Sequence, residues 1–106
     1  MFEKIKEMLS SLNVKIFEDV ALDVPVPKQY IVYSESMTPL EHSDGVPIIW
    51  EYNIQLDVFE NKENKKQLAR KVKEILMEAG ISFSVTRPIY YDDIERVQTI
   101  FEFTLT

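Results

Sequence analysis

The stretch Pro47–Glu60, PIIWEYNIQLDVFE, decides how the rest of this chain is interpreted. Apolar side chains occupy every second position over most of its length, and polar side chains fill the positions between them. Side chains of a strand point alternately to the two faces of a sheet, so the stretch predicts one long strand with a buried face and a solvated face. We assign Trp50, Tyr52, Ile54, Leu56 and Val58 to the buried face, and Glu51, Asn53, Gln55 and Asp57 to the solvated face.

Apolar residues at spacings of three and four predict two amphipathic helices. The first covers about residues 2–12 and ends near Asn13, a residue type that tolerates the left-handed conformation after a helix. The second covers about residues 62–79, with Asn61 as its N-cap and Gly80 just past its end. Each helix has a single apolar stripe and therefore one face to bury against a sheet.

Further segments alternate apolar and polar residues, or are rich in β-branched and aromatic residues, which favours strands. They are residues 14–17, 29–34, 81–87 and 96–105, and we expect the last two to pair as a C-terminal hairpin. A chain of 106 residues buries one modest core, so we predict a single α+β domain over residues 1–106. Its mixed or antiparallel sheet has about four to five strands in the order α-β-β-β-α-β-β, with both helices packed on one face.

The segment Glu35–Val46, ESMTPLEHSDGV, lies between two of these strands and is predicted to be the longest irregular segment. Pro39 lacks a backbone donor, and the pair Asp44-Gly45 favours a tight turn because glycine adopts positive φ without steric cost. Loops of about a dozen residues are uncommon in compact domains and often carry function. We therefore expect the functional surface to include this loop.

Composition excludes several classes of protein. The chain has no cysteine, which rules out disulfides, thiolate nucleophiles and cysteine-based zinc sites. Its two glycines are too few for a glycine-rich phosphate loop, and a net charge of −6 argues against non-specific nucleic-acid binding. No apolar run is long enough for a membrane span, and the first residues do not resemble a signal peptide. We expect a soluble chain that folds in a cytoplasm.

Residues with catalytic or metal-binding chemistry are few. His42 is the only histidine, and beside Glu41 and Asp44 it fits a solvated loop better than a base or a metal ligand. The acids at 92, 93 and 95 lack the spacing of a calcium loop and fit a polar hairpin turn. We therefore predict no catalytic residue, no metal and no cofactor.

Two other groups of residues each allow two interpretations of their role. The basic residues of the second helix allow phosphate binding, but glutamates dilute their charge and a solvated helix face is favoured. This basic group comprises Lys62, Lys65, Lys66, Arg70, Lys71 and Lys73. Among the aromatic residues, Tyr33 and either Tyr90 or Tyr91 belong either to the core or to a subunit interface, where amphipathic rings are enriched.

The layout of the chain resembles the small tail-completion or tail-terminator proteins of long-tailed phages and prophages. The match is one of hydrophobicity and element order rather than of a chemical motif. It comprises the N-terminal helix, VKIFEDVALDVP at 14–25 leading into PKQYIVYS at 27–34, IWEYNIQLDVFENKEN at 49–64, the helix QLARKVKEILMEAG at 67–80, and RVQTIFEFTLT at 96–106.

The resemblance implies a structural function without catalysis. Such proteins assemble as a ring, commonly a hexamer, at the head-proximal end of the tail, where the ring ends tube growth and forms the surface that joins the head. The implied partners are other copies of the chain, the tail-tube protein and the head-connector proteins. The implied location is the bacterial cytoplasm during assembly and then the tail of the virion.

A closed ring needs two different patches on each subunit. We expect one patch in the Glu35–Val46 loop and the other on the sheet edge near Asp19–Pro27 or on the C-terminal strand. The candidate interface residues are Met37, Leu40, His42, Asp44, Val24, Val26 and Tyr33.

A small non-catalytic α+β binding module or regulator is the alternative, because it would have the same layout and would bind a protein partner through the polar face of the sheet. A small enzyme ranks third. It would need a pocket with convergent polar groups, for which the sequence offers only His42 and the acids.

Overall fold

A computed structural model of the chain describes residues 1–21 and 27–106, with the backbone alone at positions 42, 43, 47 and 48. The described part contains two α-helices, two short 3-10 turns and six β-strands. The helices are α1 (Phe2–Met8) and α2 (Gln67–Glu78), and the 3-10 turns are Ser10–Leu12 and Lys62–Asn64. The strands are β1 (Lys15–Glu18), β2 (Tyr30–Ser43), β3 (Val46–Asn61), β4 (Phe83–Val85), β5 (Ile89–Tyr91) and β6 (Arg96–Leu105).

The strands form one sheet in the order β1-β2-β3-β6-β4, and β5 pairs with β6 on the same side as β4. Only the β1–β2 pair is parallel, so the α+β class with a mixed sheet is confirmed. The strand count is higher than predicted because Pro88, which has no backbone donor, interrupts the outer strand between β4 and β5. Strand β6, the C-terminal strand named as an alternative place for the second interface patch, lies inside the sheet between β3 and β4.

Both helices cover one face of the sheet, as predicted. The apolar stripe of each helix packs against every second side chain of the strands. The strand registers place three of these side chains, Ile54, Phe103 and Phe83, side by side on the covered face. The buried core comprises Ile5, Leu9, Ile31, Tyr33, Ile54, Leu56, Val58, Leu68, Ala69, Val72, Leu76, Phe101 and Phe103. Trp50 was expected in this core, but it lies beyond the helices and is 39% exposed.

A smaller cluster lies on the opposite face, where β1 meets β2. The Tyr30 ring stacks on Phe59 with centroids 4.8 Å apart and meets the edge of Phe17 at 5.9 Å. Burial raises the pKa of the Tyr30 phenol, and the charge of Arg96 opposes that rise. The Arg96 guanidinium also donates to the carbonyl oxygen of Pro27 at 3.0 Å. This bond links the residues just before β2 to the start of β6, on the other side of β3.

The ends of the helices differ in detail from the prediction. Helix α1 ends at Met8 and continues as a 3-10 turn to Leu12, after which Asn13 adopts the left-handed conformation as expected. Helix α2 begins at Gln67, because Lys65 and Lys66 both have positive φ and interrupt the helical path after the 3-10 turn. The prediction of a helix starting at residue 62 with Asn61 as its cap is therefore wrong.

Glu60 caps α2 instead. Its side chain is fully buried, and its two carboxylate oxygens accept the backbone N–H groups of Leu68 at 3.0 Å and Ala69 at 3.2 Å. Asn64 donates to the same carboxylate at 2.9 Å. A helix N-terminus leaves its first N–H groups unpaired and carries a partial positive charge, so this carboxylate joins the end of β3 to the start of α2.

Replacing Glu60 by Ala removes the acceptor for two buried backbone donors and should lower the free energy of unfolding by about 2–4 kcal/mol. Glu60→Gln keeps one acceptor oxygen and should fall between the alanine variant and the native chain. Urea unfolding followed by circular dichroism measures both. The matched control is Glu63→Ala, at an exposed position in the same turn, and equal losses in Glu60→Ala and Glu63→Ala would refute the capping role.

Candidate functional site

Residues Met37–Glu51 form a two-stranded ribbon that projects from the rest of the sheet, and we call this ribbon the arm. Strand β3 pairs with β6 only from Tyr52 to Asn61. From Met37 to Glu51, β2 and β3 pair only with each other in the described part of the chain. At about 3.4 Å per residue the arm extends roughly 25 Å, and the molecule measures 53 Å in its longest dimension against 29 and 24 Å in the others.

The arm corrects the prediction of an irregular loop at Glu35–Val46. Only Asp44 and Gly45 form the turn, while the flanking residues Ser43 and Val46 already pair. Both turn residues have positive φ, 52° and 78°. Two positive φ values define the type I′ turn, whose twist matches that of a two-stranded ribbon. The predicted tight turn at Asp44-Gly45 is confirmed, and the predicted loop around it is wrong.

Two irregularities interrupt the register of the arm. Pro39 faces Trp50 and Glu41 faces Ile49, so Leu40 is an extra residue on β2. The next register shift, between Glu41 and His42, compensates on β3. Bulges of this kind increase the twist of a ribbon, and together with a proline they hinder the addition of another strand at an open edge.

The arm exposes apolar side chains on a segment that has no core of its own. Val46 is 61% exposed and Trp50 is 39% exposed. A single exposed apolar residue is ordinary, but several on one segment are typical of a surface that binds another molecule. On the arm they lie on both faces of the ribbon, since Ile49 and Trp50 are consecutive strand residues. The exposed apolar group of the arm is Met37, Leu40, Val46, Ile49 and Trp50.

The arm is also acidic. It carries Glu41, Asp44 and Glu51, and the sequence contains no lysine or arginine from residue 29 to residue 61. The arm therefore combines apolar contact area with negative charge. A protein surface that covers it well would be apolar with basic groups nearby.

The predicted interface residues divide into three groups. Met37, Leu40 and Asp44 lie on the arm and are exposed, and the backbone of His42 lies there too, opposite Pro47. Val24 and Val26 lie outside the described residues. Tyr33 belongs to the core instead.

Tyr33 is fully buried and has a structural role. Its ring lies 5.1 Å from that of Phe2, and its hydroxyl donates to the Glu35 carboxylate at 2.7 Å. Burial raises the pKa of the Tyr33 phenol well above its usual value, and the bond to Glu35 raises it further. Of the two interpretations of the tyrosines, core or subunit interface, Tyr33 fits the first. Tyr90 and Tyr91 lie exposed on the outer edge of the sheet.

The other sequence candidates do not converge. Asp92, Asp93 and Glu95 are exposed in the turn that connects β5 to β6. Among the residues that the structure describes, no three histidine or acidic side chains come close enough to hold a metal ion. Within residues 1–21 and 27–106, no helix is long and apolar enough to cross a membrane.

An open groove of about 620 Å³ crosses the sheet on the face opposite the helices. Five of its polar side chains, Ser34, Asn53, Gln55, Glu102 and Thr104, alternate along their strands with core residues and therefore point away from the helices. The groove has hydroxyl and amide groups beside apolar surface, and Asn53 donates to the Thr38 hydroxyl at 2.9 Å beside it. Its polar side chains include Ser34, Ser36, Asn53, Gln55, Glu102 and Thr104.

No protein-family model matches the chain, and neither the curated proteins nor the solved structures provide a match. The arm, the groove and the charges around them are therefore the features from which a function is inferred.

The buried phenol of Tyr33 predicts sensitivity to alkali. Because the folded chain holds this proton more tightly than the unfolded chain, the Tyr33 contribution to stability is complete below about pH 10 and is lost as the pH rises further. Urea unfolding between about pH 8 and about pH 11 should show a shallower fall of the unfolding free energy in Tyr33→Phe. Tyr90→Phe, at an exposed tyrosine, is the matched control. An equally steep fall in Tyr33→Phe and the native chain would contradict this assignment.

Proposed function

We propose that this chain is a non-catalytic assembly protein whose arm binds a neighbouring subunit. The observation that carries the proposal is the arm itself, a ribbon of roughly 25 Å with exposed apolar side chains and no third strand among the described residues. An isolated two-stranded hairpin is marginally stable in water. A partner that covers the arm would stabilise it and bury its apolar surface.

The assembly that we propose is the ring that completes a phage tail and joins it to the head. The resemblance to tail-completion and tail-terminator proteins supports this role, and the elongated shape agrees with it. A ring needs two different contact surfaces on each subunit. The arm occupies one end of the molecule, which leaves the other end free to receive the arm of a neighbour. On this proposal the chain works in the bacterial cytoplasm during assembly and then in the virion tail.

The groove favours a second candidate, a small binding module. Its polar hydroxyl and amide groups lie on the uncovered face of the sheet and could hydrogen-bond a polar loop of a partner protein. The arm would then be an accessory to the groove. We rank this function second because five large apolar side chains are exposed on the arm, whereas none of the exposed large apolar side chains in the described part of the chain lines the groove.

A shortened arm separates the two candidates. Deleting residues 39–43 and 46–50 places the Asp44-Gly45 turn between Thr38 and Glu51, which already pair. The core should remain intact because β3 joins β6 only from Tyr52 onward. Multi-angle light scattering should show that the native chain associates as its concentration rises and that the shortened chain stays a monomer with unchanged circular dichroism. Equal association of both chains would refute the role of the arm.

The same variant tests the phage role in the phage or prophage that encodes the chain. Replacing the native gene by the shortened form should yield free heads and unjoined tails in negative-stain electron microscopy. The Lys4→Ala form, altered at an exposed position on α1 away from the arm, should yield complete particles. Complete particles with the shortened arm would overturn the proposed role in tail completion.

A further inference from the structure

The end of the molecule opposite the arm combines positive charge with an exposed aromatic ring. Four exposed basic residues lie in the turn before α2 and in its first turn, and Glu63 is the only acid between residues 62 and 73. The acids at 92, 93 and 95 lie in the turn after β5, at the same end of the sheet. The Lys62 ammonium lies 6.0 Å from the centre of the Tyr90 ring, which is 47% exposed on β5. We call this surface the basic end, and its residues are Lys62, Lys65, Lys66, Arg70 and Tyr90.

The basic end is the complement of the arm. The arm offers exposed apolar side chains together with Glu41, Asp44 and Glu51. The basic end offers flexible ammonium groups, a guanidinium group and the face of an aromatic ring. Opposite charges beside apolar contact area promote association and fix the relative orientation of the two surfaces.

The arm cannot reach the basic end of its own chain. Strand β3 connects the two, with Val46 at the tip of the arm and Asn61 immediately before Lys62. A strand of 16 residues spans roughly 50 Å, which accounts for the longest dimension of the molecule, 53 Å. Contact between the two surfaces therefore requires two molecules.

We propose that the basic end of a second copy of this chain is the surface that receives the arm. This inference rests on the proposed function, in which the arm is the assembly element, and it adds the partner surface. The interface is heterologous, because a different patch of each copy takes part, and such contacts generate rings or filaments. The groove is a poor receiver for the arm, because Glu102 lines it and Asp57 lies beside it on the same face.

The size of the arm sets the strength of the contact. One face of the ribbon, roughly 25 Å by 10 Å, covers a few hundred Å², well below the ~800 Å² per partner of a standard interface. A single contact should therefore be weak. A closed ring should be more stable than an open pair, because every copy in it makes two contacts. Since the charges are exposed, salt should weaken the association.

Mixing two defective chains tests the inference. The arm variant carries Met37→Ser and Trp50→Ser, and the end variant carries Lys62→Glu and Lys66→Glu. Each retains one intact surface, so each alone should associate at least about tenfold more weakly than the native chain. An equimolar mixture should form a complex of two chains and nothing larger in sedimentation velocity. The matched charge control is Lys4→Glu with Lys6→Glu, two exposed lysines on α1, which should assemble as the native chain does.

A second measurement guards against misfolded variants. Because the chain has no cysteine, Val46→Cys in one chain and Tyr90→Cys in another give unique positions for a bismaleimide linker. Crosslinking of these two chains, and not of two Val46→Cys chains, is the expected result.

The possible failures are distinguishable. One outcome is that the end variant assembles as the native chain does while the arm variant remains a monomer. In that case the basic end does not receive the arm, and the proposed function stands. Crosslinking of two Val46→Cys chains would indicate arm-to-arm contact and would also overturn the inference. If the native chain is a monomer at every concentration, the self-assembly of the proposed function fails together with the inference.

Discussion

Strand β3 is longer than the core that it organises, and the shape of the molecule follows from this mismatch. Its second part, from Tyr52 onward, lies between β2 and β6 and is covered by both helices. Near its end it carries the buried carboxylate of Glu60. Its first part has only β2 as a neighbour within the described residues. The alternation that buries Ile54, Leu56 and Val58 continues past the helices, so apolar positions that would be core elsewhere reach solvent on the arm. The same strand thus builds the core and displays the candidate interface.

Much of the fold could be predicted because local patterns and packing agree. The alternation along β3 and β6, the apolar stripe of α2, the left-handed residue after α1 and the Asp44-Gly45 turn all appear as the sequence indicates. The arm was missed because residues 35–43 are polar, contain Pro39 and have weak strand propensity; pairing with β3 overrides that propensity. Counting outward from a two-residue turn would have found it, since such a turn fixes the register of both flanking strands.

The role of Glu60 could also have been found, because it shares the buried parity of Ile54 and Val58 and a carboxylate there requires donors. The positive φ values of Lys65 and Lys66 have no signal in the sequence. They lie between Glu60 and the helix N–H groups that Glu60 caps. The candidate interface segment was assigned the wrong conformation, since most of it is paired strand rather than loop. The basic end was visible only as a charged helix face, because nothing local indicates that Tyr90 lies beside Lys62.

Trp50 gives the most direct test of the central claim, that the arm is the surface buried on assembly. It is the only tryptophan of the chain, it lies on the arm opposite Pro39, and it is partly exposed. Its fluorescence therefore reports on the arm of the native chain without any label. Emission should shift to shorter wavelength as the concentration rises, in parallel with the mass from light scattering, and salt should reverse both changes. Association with an unchanged Trp50 emission would place the interface elsewhere and contradict the account.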